Sequence, residues 1–218
     1  MKPKAIYALL SQCNAASGCD AFDGHVLACI FGAGAMETGP GRSLTDALGI
    51  SGKVLRHSCD QYFPGALVHL EPFGLDNEPV VDADEQCLRE LLGRSRSAAG
   101  ALSSLLTILI ARRSTRPNHL WQDLGLSNRG ELSTLMLRHF APLAMRNNQD
   151  MKWKKFFYRM ICRDEGFRLC AAPSCSECSD FENCFGDESG ESLLAHTRFH
   201  FEAQRLISLE AGGGESRC

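Results

Sequence analysis

Hydrophobic residues recur at helical spacing through most of the second half of the chain. Leu88, Leu91 and Leu92 stand at i, i+3, i+4 and share one helix face. Asp82, with Glu85 three residues on, has the spacing of a helix N-terminal cap. Gly93 and the Ser/Arg-rich stretch to Gly100 break that helix. Leu102, Leu105, Leu106, Leu109 and Ile110 make the most apolar stripe, predicted as the central helix and ended by Pro117. A short helical turn then carries His119, Leu120 and Trp121 toward Gly125. Asn128 and Glu131 repeat the cap spacing ahead of Leu132, Leu135, Met136, His139 and Phe140, and Pro142 stops that stripe. The last strong helix has Trp153, Phe156, Phe157, Met160 and Ile161 on one face and Lys152, Lys154, Lys155 and Arg159 on the others. No alternating β-branched run of useful length appears. The pattern predicts an all-α fold, a small irregular helical bundle of roughly five to seven helices, followed by a C-terminal cysteine-rich loop.

The first half is less regular. Residues 1–44 are Gly- and Ala-rich, with Gly32-Ala33-Gly34 and Gly39-Pro40-Gly41, and read as a flexible N-terminal segment. They lack the Lys-Ser/Thr ending and the preceding β-branched strand of a phosphate-binding loop. Ser43 to Leu55 is expected to form one helix, and Tyr62-Phe63-Pro64-Gly65 a turn. The helical domain is expected to run over 45–188, and residues 189–218, which include a weakly amphipathic His196–Leu209 and a triple glycine, to form a loosely structured tail.

Composition changes the picture little. The chain has 218 residues, 44% hydrophobic and 22% charged, enough to bury a sizeable core. A formal net charge of -3 gives no general pull toward nucleic acid or anionic membranes. No apolar run is long enough to span a bilayer, and the start lacks the features of a signal peptide. A cytoplasmic location is the expectation.

The cysteines carry the chemistry. Cys170, Cys175, Cys178 and Cys184 follow the spacing C-x4-C-x2-C-x5-C. Thiolates are soft ligands, and a tight group of them selects zinc, copper(I) or an iron–sulfur core. Disulfides need an oxidising compartment, for which the sequence offers no support. Structural zinc sites usually join two knuckles a dozen or more residues apart, whereas here all four thiols share one short segment. The first three reproduce the plant-type iron–sulfur spacing, but there the fourth lies far downstream. The spacing favours a cluster over zinc, and sets the chain apart from an ordinary ferredoxin. The other seven cysteines are scattered and read as small hydrophobes or incidental thiols.

Three motifs carry a family resemblance: Asn118-His119-Leu120-Trp121-Gln122-Asp123-Leu124-Gly125-Leu126, then Met151-Lys152-Trp153-Lys154-Lys155-Phe156-Phe157-Tyr158-Arg159 with Cys162, then the cysteine segment Cys170 to Cys184-Phe185. In this order over residues 118–185 they resemble the NifQ proteins of molybdenum-dependent nitrogen fixation. The resemblance implies a molybdenum donor for the nitrogenase iron–molybdenum cofactor, carrying a molybdenum–iron–sulfur cluster (Mo-Fe3-S4 type) built on an iron–sulfur precursor. It implies a cluster carrier that is not an enzyme, with molybdate as metal source and cofactor-assembly proteins as partners. Bottom-up, the residues reach only a thiolate-ligated cluster on a helical scaffold. An iron–sulfur electron-transfer protein and a zinc-stabilised interaction module would present the same four cysteines.

Four cysteines could close every metal corner of a cuboid, or hold three irons and leave molybdenum a labile ligand, which suits a donor; Cys170 is the candidate for the outlying thiol. His119 is the candidate non-cysteine ligand, and its plainer reading is a partly buried histidine bonded to a neighbouring helix. Cys162 is a candidate fifth thiol or a packed cysteine. Trp121, Trp153, Phe156 and Phe157 read as core. Lys152, Lys154, Lys155 and Arg159, with Arg163 and Arg168, form a basic group whose default is a solvated helix face. The sharper expectation is contact with molybdate or an acidic partner.

Overall fold

The computed structural model describes residues 3–14 and 19–164, together with Cys184 and Glu188. Among these residues the chain forms eleven α-helices and no strand, so the fold is all-α. Helix α1 (Pro3–Asn14) packs along α2 (Ala21–Met36), and α3 (Leu44–Leu48) lies against α2. Then come α4 (Gly52–Tyr62), α5 (Leu67–Leu70) with a 3-10 turn at Glu71–Phe73, and the paired helices α6 (Ala83–Arg94) and α7 (Ala101–Ser114). Short α8 (Leu120–Asp123) leads to α9 (Arg129–His139), α10 (Ala141–Ala144) and α11 (Trp153–Asp164). No helix of the described residues is long and apolar enough to cross a membrane.

The cap signals work as the sequence predicts. Asp82 accepts from the Glu85 backbone N–H at 2.8 Å, and Asn128 from that of Glu131 at 3.0 Å. The α4 end falls at Tyr62, where Gly65 takes a left-handed φ of 81°.

Three expectations are corrected. Residues 1–44 are not a flexible segment where described: they hold α1 and α2, and twelve of the sixteen α2 residues are buried. A helix covered on every side shows no polar face, so periodicity could not reveal it. Its glycines are contact points. A Cβ added to Gly24 would fall on the Asn14 side chain, whose amide donates to the Tyr62 carbonyl at 3.0 Å. Helix α2 is therefore the central helix, ahead of α7, which also has fewer of its residues buried (nine of fourteen). Second, Ser43–Leu55 is two helices, because Gly49 at φ 71° ends α3 and Ser51 caps α4. Third, the bundle holds more and shorter helices than expected, as α8 and α10 are single turns.

The core is continuous. Phe31, Phe63, Phe140 and Phe157 are its largest fully buried side chains, and Phe31 meets Phe63 edge-on at 5.5 Å.

Candidate functional site

Pro117 stops the chain after α7, and His119 then opens α8, its backbone N–H donating to Gln122 Oε1 at 3.1 Å. One turn on, Asp123 is almost fully buried. A buried carboxylate needs partners, and this one accepts from Asn118 Nδ2 at 3.1 Å and from the Lys154 ammonium of α11. Lys154 also donates to the Arg116 carbonyl. Two segments 31 positions apart are thus pinned by one ion pair. Burial pushes the Lys154 pKa down, and the Asp123 carboxylate pulls it part of the way back.

This corrects the expectation that the α11 cations all face water. Lys154 keeps only 16% of its side-chain surface, because α11 lies over the Asp123 carboxylate. Lys155 is exposed, and Lys152 and Arg159 are half-buried. The opposite face buries Trp153, Phe156, Phe157 and Met160, as the stripe predicts, and Trp121 is buried too.

Of the four predicted thiol ligands, Cys170, Cys175 and Cys178 lie outside the described residues, as do Arg168 and the tail 189–218. Cys184 lies inside them. It is half-buried against the core, and its carbonyl accepts the Lys152 backbone N–H at 2.8 Å. Four residues later the Glu188 side chain is buried and pairs with Arg129 Nη1 at 2.9 Å, with His119 Nδ1 3.7 Å away. Arg129 also binds the Asp150 carboxylate at 2.8 Å and the Met151 carbonyl at 3.0 Å. The chain leaving the cysteine segment is therefore held at the N-terminal end of α11.

His119 falls at the same end as Cys184, within reach of Glu188. Cys162 sits ten residues beyond Lys152, roughly 15 Å farther along the helix axis. Between α8 and the start of α11 lies an open pocket of about 510 Å³ lined by Pro117, His119, Gln122, Lys152, Lys155 and Glu188 among others. It offers an imidazole and three ammonium groups, that of Lys154 already paired with Asp123, a set suited to metal or anion contact. No group of three or more His, Cys, Asp or Glu side chains able to hold a metal ion exists among the described residues, which do not include Cys170, Cys175 or Cys178.

The sequence reading missed Arg129 and Glu188. Neither had a signal: one arginine after a cap and one glutamate in an acidic stretch are common, and only folding joins them across 59 positions.

A family model described as NifQ matches residues 26–186, a span that includes all four clustered cysteines, His119 and α11. A protein NifQ homolog of Sinorhizobium fredii is 43% identical over 176 residues, covering 78% of this chain and 75% of the relative. Protein NifQ of Rhodobacter capsulatus is 42% identical over 147 residues, covering 66% of this chain and 79% of its own. Protein NifQ of Azotobacter vinelandii is 39% identical over a shorter span, 46% of this chain and 52% of the relative. No solved structure gives a significant match. With the family match covering more than half its length, the chain belongs to the NifQ family, which is implicated in nitrogen fixation.

Proposed function

We propose that this chain is a metallocluster carrier that delivers molybdenum for assembly of the nitrogenase iron–molybdenum cofactor, and that it does so without catalytic turnover. The observation that carries this reading is the four-thiol segment Cys170, Cys175, Cys178 and Cys184, which lies wholly inside the family match. Soft thiolates suit an iron–sulfur cargo of the Mo-Fe3-S4 type. The anchoring of Cys184 and Glu188 supports it, because the segment's far end is tied to a polar pocket that holds His119. His119 is the candidate non-cysteine ligand on that side. Lys152 and Lys155 are candidate contacts for molybdate or an acidic assembly partner, with Arg159 one helix turn farther along α11. Lys154 leaves this set, since Asp123 already neutralises it.

The test is anaerobic purification of the wild-type chain and of Cys178→Ala, with iron and molybdenum analysis and electron paramagnetic resonance. Wild type is expected to hold both metals and the variant neither, with far-ultraviolet helicity retained because the core of the described residues is built by the helices up to α11. Iron without molybdenum in wild type from molybdate-fed cells would replace the donor reading by electron transfer. Colourless, zinc-loaded protein would leave an interaction module.

A further inference from the structure

A second cavity, of about 460 Å³, shares Pro117, Asn118 and Gln122 with the pocket that His119 lines. Arg42, Arg113 and Arg116 line it, together with Glu37 and Asp123. Each cation arrives from a different local device. Arg113 comes from the last turn of α7, and Arg116 from the turn just before Pro117. Arg42 is brought back toward the end of α2 by the tight Gly39-Pro40-Gly41 turn, closed by paired backbone bonds between Gly39 and Arg42 at 3.1 and 3.0 Å. Among the described residues a single carboxylate pairs with all three. Glu37 lies 2.8 Å from Arg42, 2.6 Å from Arg113 and 3.3 Å from Arg116.

The charges do not balance. Three guanidiniums against one glutamate leave two positive charges, since Asp123 is already matched by Lys154. Hydrogen bonding is incomplete as well. Arg113 is 2% exposed and its Nε–H donates to the Asp123 carbonyl at 2.6 Å, yet its Nη1 has no hydrogen-bond partner, and the Arg116 Nε–H, 3.3 Å from Glu37 Oε2, makes no well-formed hydrogen bond. A buried unpaired guanidinium donor is costly, and guanidinium forks match the oxygens of oxyanions. Burial holds the Arg116 pKa down, Glu37 pulls it part of the way back, and the neighbouring arginines lower it further.

We infer that the Arg42–Arg113–Arg116 cavity binds a tetrahedral oxyanion dianion, with Glu37 as its built-in competitor. The oxyanion class follows from the site's residual charge and its unpaired donors. That the physiological member is molybdate rests on the cluster-carrier reading above. On that reading the cavity is an antechamber: the anion is held by arginines in a cavity that shares Pro117, Asn118 and Gln122 with the pocket lined by His119, Lys152 and Lys155.

The experiment is equilibrium dialysis of the full, metal-free chain against molybdate, sulfate and phosphate, each across a salt series. Because no cluster is present, its outcome is independent of whether the thiol segment carries one. Saturable binding is expected, weakening with salt. Arg116→Gln is expected to weaken it about tenfold, the loss of one charge-assisted bond. Arg42→Gln, at the more exposed rim, serves if Arg116→Gln folds poorly. Glu37→Gln is expected to tighten binding severalfold, a gain that a merely structural salt bridge would not produce. Failure of all three anions to saturate, or Glu37→Gln that binds no better than wild type, overturns the site. Sulfate or phosphate bound more tightly than molybdate overturns the assignment to molybdate.

Discussion

Helices α2 and α11 divide the labour of this protein. Helix α2 is buried over most of its surface and supplies the centre of the core, with Val26, Leu27, Ile30 and Phe31 fully buried. Helix α11 buries one aromatic face and lines a polar pocket with Lys154 and Lys155, just after Lys152, from its other side. Stability concentrates in the first, and site chemistry at the second. The contrast also teaches how polar residues behave at such a boundary. Asp23 on α2 is buried and meets His139 at 2.9 Å, while Lys154 on α11 is drawn inward by Asp123. Each helix has a buried charge, and each charge is matched by a distant element.

The largest expected effect breaks the core side of the comparison. Phe31→Ala empties a fully buried ring site against Phe63 and should cost about 3–5 kcal/mol of unfolding free energy. Denaturant titration reads the loss. If α2 serves only as scaffold, whatever metal the folded fraction holds per chain stays at the wild-type level.

Next comes the buried pair that joins α8 to α11. Lys154→Met leaves Asp123 an uncompensated buried carboxylate and should cost about 3 kcal/mol, while Asp123→Asn with Lys154→Met recovers much of it. Equal costs for the single and double variants would show no coupling. The pair also has a pH signature. Burial holds the Lys154 ammonium below its ordinary 10.5, so the folded chain gives up this proton before the unfolded chain does. In the window just under pH 10.5 the unfolded state binds more protons, and wild-type stability should rise with pH relative to Lys154→Met. Unfolding curves of the two proteins from pH 8 to 10.5 check the sign.

A smaller effect tests the α1–α2 joint. Gly24→Ala should displace the Asn14 side chain and its bond to the Tyr62 carbonyl, costing about 1–3 kcal/mol by chemical denaturation. The smallest belongs to the outer face of α11. Lys155→Glu should change stability by less than about 0.5 kcal/mol, because the residue is exposed. It is therefore the clean probe of anion or partner contact at that pocket. Reversal at Lys154 would instead set two carboxylates against each other in a buried site and confuse folding with function.

Much of this was legible in the residues alone. Helices with one wet face, α6, α9 and α11, announced themselves by stripes at i, i+3, i+4, and their caps at Asp82 and Asn128 lay where the spacing put them. The thiol spacing pointed to soft-metal chemistry, and the three motifs to the family, without any coordinates. Helix α2 was not legible, because a helix buried all round has no periodic contrast to detect. The joining of partners far apart in sequence was hidden too. Asp123 with Lys154, Arg129 with Glu188, and Glu37 with Arg113 are single charged residues among 49 in the chain. Local pattern reports what a residue's own turn of helix needs. Which distant charge ends in the same low-dielectric pocket is decided only when the elements pack, since pairing there is what makes burying either charge tolerable.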